Sequence, residues 1–351
     1  MAKVSRYKTI GSIRNIILAF VLWIGTIQGY AQTTDTTRLV IEDGWIEKMN
    51  TKIAADISFN NAYQIFEVNT TTNRILLYPN TPNNLRLKVN YDFLSVGFQV
   101  SPDFLPGNGD NDIRGKTKSF QLGAALIFKH WFAELNYSEV SGYYLKNTED
   151  FRVWEKGDPY IQFPDLHYNG FSISSGYTHN SRFSLRSLSS QTERQLKSTG
   201  SFMPVFNFDY YTIDDRSDGM NTQKSKNAEV NIGPGYAYTF VAREKFYASL
   251  GLFASLGYMH TWLTTRTPEG NINVNQDNFI LRWHGRTGIG YNGPRFYTGL
   301  YANVAGTRYN QENTTVFNTE TRIMYHLFFG MRFTAPRFLQ RQVKQIKKKM
   351  P

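Results

Sequence analysis

Residues 85–100 read Leu-Arg-Leu-Lys-Val-Asn-Tyr-Asp-Phe-Leu-Ser-Val-Gly-Phe-Gln-Val, and two alternations of apolar and polar side chains meet inside them. Leu85, Leu87, Val89, Tyr91 and Phe93 alternate with Arg86, Lys88, Asn90 and Asp92; after a change of phase Leu94, Val96, Phe98 and Val100 continue. A period of two sends the two sets to opposite faces of a strand, and a one-residue slip marks a turn. The stretch is therefore a tight antiparallel hairpin. One face is apolar and aromatic while the other carries charge, which suits lipid on one side and a polar interior on the other.

Working outward, the same unit recurs along the chain. Phe120, Leu122, Ala124, Leu126 and Phe128 lead through Lys129 and His130 to Trp131, Ala133, Leu135 and Tyr137. Phe171, Ile173 and Tyr177 lead through Asn180 and Ser181 to Phe183 and Leu185. Val230 to Phe240 turn at Arg243-Glu244-Lys245 into Phe246 to Tyr258, and Phe279 to Tyr291 turn at Asn292-Gly293-Pro294 into Phe296 to Val304. Ile53, Ala55, Ile57 and Phe59 open the series, and Ile323 to Phe333 close it. The reading is an all-β chain forming a single antiparallel up-and-down transmembrane β-barrel of about twelve strands, or about fourteen if Phe202 to Tyr211 adds a hairpin arm or strand. A soluble β-sandwich or lipocalin-like carrier would hide its apolar face inside and fits the aromatic outer faces less well.

Connections divide into short turns and the long segments 60–84, 101–115, 141–165, 191–227, 261–278 and 309–319. In outer-membrane barrels short turns face the periplasm and long loops face outward, so both termini are expected in the periplasm. Tyr91, Trp131, Tyr137, Tyr177, Tyr236, Tyr258, Trp283, Tyr291 and Tyr325 fall on the lipid-facing phase, where amphipathic rings suit the headgroup level.

The N-terminus supplies the route to that membrane. Lys3, Arg6, Lys8 and Arg14 precede the apolar run 16–27, and Gly29-Tyr30-Ala31 offers small residues for cleavage before Gln32. We read residues 1–31 as an export signal, with a short anchor helix as the alternative. Segment 32–50 then precedes the barrel at 51–335, and 336–351 form a basic tail. That tail mixes Phe338, Leu339, Val343 and Ile346 with Arg341 and Lys344, and is read as a loosely attached periplasmic segment, with an interfacial helix as its alternative.

The 351 residues carry a formal charge of +11 and no cysteine. Disulfides and thiolate–metal chemistry are thereby excluded. Export removes nucleic acid as a partner, and no cofactor is expected. Outer-membrane lipids, the barrel assembly machinery, and envelope proteins or an anionic or saccharide ligand are the expected partners.

The inward phase names the candidate site. Arg282, His284, Arg286, Arg322, His326 and Arg332 lie on it in the late strands, and Asp56, Arg86, Lys88, Asp92, Glu134, Arg186 and Glu229 elsewhere. Arg or Lys facing lipid at mid-depth costs about 2–4 kcal/mol, so these groups face the lumen. They form either a cationic surface for anions or a filled interior of paired charges. No catalytic residue is assigned: His179 near Ser181 and His167 near Ser172 lack a third orienting group. No metal site is assigned either, since HxH and HExxH spacings are absent and Asp110, Asp112, Asp214, Asp215 and Asp218 are dispersed.

Leu77-Tyr78-Pro79-Asn80, Arg114 to Gln121, Ser141-Gly142-Tyr143-Tyr144, Gln195 to Phe202 and Gly233-Pro234-Gly235-Tyr236 together resemble a Bacteroidetes-type family of unknown function. The resemblance implies an outer-membrane barrel in a Gram-negative bacterium and attaches no catalytic or ligand residues. Two functions follow as expectations. The first is transport or ligand binding through the Arg-rich lumen; the second is a closed structural or assembly scaffold. A lipid-modifying enzyme ranks third.

Overall fold

The computed structural model describes residues 40–61, 65–69, 74–219, 221–310 and 317–349. Residues 1–31, read from the sequence as an export signal, lie outside them. Among the described residues twelve strands close into a ring. They are β1 (Lys52–Asn60), β2 (Asn84–Tyr91), β3 (Leu94–Val100), β4 (Lys118–Ile127), β5 (Trp131–Leu145) and β6 (Gln162–Tyr177). There follow β7 (Val205–Asp215), β8 (Thr222–Gly233), β9 (Phe246–Thr267), β10 (Gly270–Asn292), β11 (Phe296–Asn310) and β12 (Phe317–Thr334). Every neighbour is antiparallel, and β12 pairs with β1 from His326 opposite Asn60 to Thr334 opposite Lys52. The sheet therefore has no free edge, as a membrane span of strands demands.

The alternation read from the sequence is the alternation of exposure. On β9, Leu250, Leu252, Leu256 and Tyr258 are exposed, whereas Ser255, Met259 and Thr261, on the other parity, are buried. Outward apolar residues from Phe246 to Tyr258 cover roughly 40 Å of strand, which at a tilt of about 40° stands about 30 Å high. That height matches a hydrocarbon core. Among the described residues no helix is long and apolar enough to cross a membrane.

Two strands are longer than their regular parts. Thr199–Phe202 pairs with Gly235–Ala242 one level below the β7–β8 ladder, so each wall strand continues through a break, at Pro204 and at Pro234. Proline donates no ladder hydrogen bond, which explains both interruptions. The glycines flanking Pro234 are needed: a Cβ on Gly233 would lie 1.9 Å from the Ala254 carbonyl oxygen, and one on Gly235 2.1 Å from the Phe253 ring.

This corrects the reading of residues 178–227. Phe202 to Tyr211 belong to the wall, whereas Phe183 and Leu185 are no strand. Residues 178–198 instead connect β6 to Thr199–Phe202 at the end of the barrel where the short turns lie, through the single helical turn α1 (Arg186–Ser189) and the strand Glu193–Gln195. That strand pairs with Ile46–Lys48, which also pairs with Val40–Glu42, giving a three-stranded sheet beside the barrel. Segment 261–278 is likewise largely strand, because β9 and β10 stay paired up to Thr267 opposite Gly270. The tail forms helix α2 (Arg337–Lys349).

Candidate functional site: the polar interior and its seal

Built from the walls inward, the interior is a polar network centred on one ion-paired arginine. Arg282 on β10 reaches across β9 to Glu229 on β8 at 2.8 Å and to Asp209 on β7 at 3.3 Å. Glu229 is 2% exposed and also accepts a hydrogen bond from Asn231 at 3.0 Å. Asn207 donates to Asn231 at 2.8 Å and Ser174 to Asn207 at 2.6 Å, so one network links β6, β7, β8 and β10. Burying charge is tolerable only with such pairing.

On the opposite wall Asp56 accepts hydrogen bonds from Tyr297 at 3.1 Å and from Asn90 at 3.2 Å, and Ser95 donates to Asn90 at 2.6 Å. Tyr301 lies between Arg286, 4.2 Å above its centroid, and the His326 ring, stacked at 4.4 Å. His284 stacks on Phe253 at 5.8 Å. Glu134 faces inward and interacts electrostatically with Lys88. Arg322 lies on β12 opposite Ala305, and its side chain falls outside the described residues. Among the described side chains Arg86, Lys88, Arg282 and Arg286 share the interior with Asp56, Glu134, Asp209 and Glu229, and Arg322 adds a further cation to the inward phase.

Arg332 sits apart from this group, at the short-turn end. It is 6% exposed, and its guanidinium donates to the Gln191 carbonyl at 2.6 and 3.0 Å, to Asn292 Oδ1 at 2.5 Å and to the Gly293 carbonyl. Gln191 belongs to the 178–198 segment. Arg332 therefore holds that segment rather than lining a free bore.

Contacts of this segment reach round the ring. Lys88 donates to the Ser189 carbonyl at 2.5 Å, and Thr192 to the Asp92 carbonyl at 2.8 Å. Arg186 donates to the Ile127 carbonyl at 2.6 Å and pairs with Asp92 at 3.3 Å and Glu193 at 3.1 Å. Asn292, in the β10–β11 turn, donates to the Glu193 carbonyl at 3.1 Å. The segment leaves the wall between β6 and β7 and is fixed to β2, β4, β10 and β12 across the mouth. Phe183, Leu185 and Leu188 pack with the inward-facing Ile127, Phe132, Met203, Val205 and Ala237, so the mouth also holds an apolar core.

Sequence reasoning missed this seal, although Gln191-Thr192 and the Ser-rich run 184–190 carried the polar groups it uses. His167 and Ser172 project to opposite faces of β6, which removes them as a pair. Asp214 is engaged by Arg266 at 2.6 Å, Arg216 at 3.1 Å and Lys224 at 3.6 Å. Among the described residues no group of His, Asp and Glu has the arrangement of a metal site.

The model of a family described as a domain of unknown function, DUF4421, matches residues 40–333. The chain belongs to this family. The matched span of the DUF4421 domain takes in the small sheet, the mouth segment and the whole ring, and stops before α2. No curated protein matches the chain. Similar solved structures include OmpT, an outer-membrane expressed protein of Vibrio cholerae, at 9% identity over 84% of this chain and 100% of that one, TM-score 0.32. The beta domain of the Bordetella autotransporter BrkA is similar at 11% identity over 81% of this chain and 100% of that one, TM-score 0.39. The closed strand ring, rather than these likenesses, establishes the fold.

Proposed function

We propose that this DUF4421 protein is a sealed outer-membrane barrel that serves as a structural or docking component of a Gram-negative envelope. Its short turns and termini face the periplasm and its long loops face outward. The observation that carries the reading is segment 184–195, fixed across the mouth by Arg332, Lys88, Asp92 and Asn292 and packed on Ile127 and Phe132. The three-stranded sheet formed by the hairpin 40–48 with Glu193–Gln195 then offers a platform to envelope proteins, built partly from the seal itself.

Binding of an anionic or saccharide ligand is the second reading, favoured by Arg286 and His326 on either side of Tyr301. Planar-bilayer recording separates the two. The sealed reading expects silence from the refolded wild type and steady conductance once residues 185–192 are replaced by a Gly-Ser linker. Conductance by the wild type, or ligand-dependent current suppressed by Arg286→Ala, supports the second reading and overturns the first.

A further inference from the structure

Helix α2 has a composition that the seal does not explain. Its thirteen residues contain Arg337, Arg341, Lys344, Lys347, Lys348 and Lys349 and no acidic residue. Phe338, Leu339, Val343 and Ile346 fall on one stripe at about 100° per residue, and every cation except Lys349 lies on the rest of the circumference. Phe338 is 60% exposed and Ile346 44%, so no protein surface covers the two ends of the stripe.

The helix is held at the rim of the barrel. Thr334 ends β12, whose outward Phe329 and Met331 are exposed in the lipid-facing band. The Ala335 amide donates to the Thr51 carbonyl at 2.8 Å, and Gln340 donates back to the Ala335 carbonyl at 2.7 Å. At the far end Lys347 pairs with Asp92 in the β2–β3 turn at 2.5 Å. The apolar stripe is centred about a quarter of a turn from Lys347 on the helix circumference. A helix pinned at both ends to the edge of a membrane barrel, with Leu339 and Val343 half-buried and Phe338 and Ile346 exposed on a basic helix, has the form of an interfacial lipid anchor.

We propose that α2 lies on the leaflet at the short-turn end and binds its anionic phospholipids, Phe338 and Ile346 entering the acyl boundary while Arg341, Lys344 and Lys348 meet headgroup phosphates. Charge complementarity and continuity with the lipid-facing band select this occupant over an acidic protein. The proposal needs the barrel to be in a bilayer and does not need the bore to be closed.

The absence of cysteine from the chain makes the test clean. Single variants Phe338→Cys, Ile346→Cys, Arg341→Cys and Lys348→Cys of the full protein are labelled with a polarity-sensitive fluorophore. They are then reconstituted in nanodiscs of phosphatidylethanolamine with or without phosphatidylglycerol, doped with doxyl-labelled lipid. Expected are blue-shifted, doxyl-quenched emission at positions 338 and 346 in anionic discs, little quenching at 341 and 348, and loss of quenching at 338 when Arg341, Lys344 and Lys348 are all changed to Glu. Barrel folding of every variant is verified by its shift on unheated gels. Water-like emission at 338 and 346 in anionic discs overturns the proposal, as does quenching that is indifferent to lipid charge or to the triple reversal. Emission that shifts only on adding an acidic envelope protein overturns it in favour of that partner.

Discussion

At the scale of the residue, strand parity decides where a charge points, and contact across the bore decides what it does. The sequence places Arg282 and Glu229 on the inward phase, and both are there. Their pairing was hidden because the partners are 53 residues apart and are brought together by the curvature of the wall. Arg332 shares the same phase, yet its partners are the Gln191 carbonyl of the mouth segment and the Asn292 and Gly293 oxygens of a tight turn. Removing Arg282 would leave Glu229 and Asp209 uncompensated, a loss of about 3–5 kcal/mol. Arg282→Ala is therefore expected to unfold at markedly lower urea than wild type, and Arg282→Met with Glu229→Gln and Asp209→Asn to recover most of the difference. Equal stability of the single variant and wild type would show that water, not Arg282, satisfies those carboxylates.

Asp214 gives the pH prediction at the same scale. It lies beyond the apolar belt at the long-loop end. Burial acts to raise its pKa, but hydrogen bonds from Arg266 and Arg216 and the field of Lys224 outweigh burial and hold the carboxyl below its ordinary value. A depressed folded pKa contributes stability above the unfolded value of about 4, and the contribution is lost as pH falls through the folded value. Protection of the β7–β8 hairpin-tip amides, taken relative to their intrinsic exchange rate at each pH, is expected to stay constant from pH 7 to pH 5 and to fall below about pH 4. Asp214→Asn should remove that acid step. Its cost at pH 7 is about 1 kcal/mol, kept small because the cationic partners are partly solvated.

At the scale of the element, hairpins with short turns were legible and the mouth segment was not. Phe183 and Leu185 alternate with polar residues as a strand would, so periodicity alone gives them the wrong identity. They pack instead beneath the wall with Ile127 and Phe132. The strand that replaces them, through Thr199–Phe202 and Val205–Asp215, was obscured by Pro204, which interrupts its ladder. Helix α2 was read as a loose tail because its run is short; its contacts at Ala335 and Lys347 are what tie it down. Arg332→Ala strips donors from the Gln191 and Gly293 carbonyls, at about 1–3 kcal/mol for each buried group left unmade. This variant is expected to keep a folded barrel, with unchanged gel mobility, while showing flickering conductance in a planar bilayer. Silence in that variant would assign the closure to the remaining contacts, the Lys88, Arg186, Thr192 and Asn292 hydrogen bonds and the packing of Phe183, Leu185 and Leu188.

At the scale of the whole molecule, closure of the ring follows from features the sequence carries openly: an even set of alternating segments, an outward apolar face about as tall as a bilayer, and antiparallel neighbours joined by tight turns. What the bore contains is not local information, because it is written in residues 178–198, which must cross from one wall to the other. The central claim is that this segment is folded into the mouth as part of the barrel. Hydrogen-exchange mass spectrometry on the lipid-reconstituted wild type tests it most directly. The account predicts that the amides of Leu188 to Gln191, bonded to the Leu185 and Arg186 carbonyls, and of Leu196, bonded to the Trp45 carbonyl, exchange nearly as slowly as those of β10 to β12. Exchange of the Leu188 to Gln191 and Leu196 amides at the rate of free chain, with those strands still protected, would contradict it.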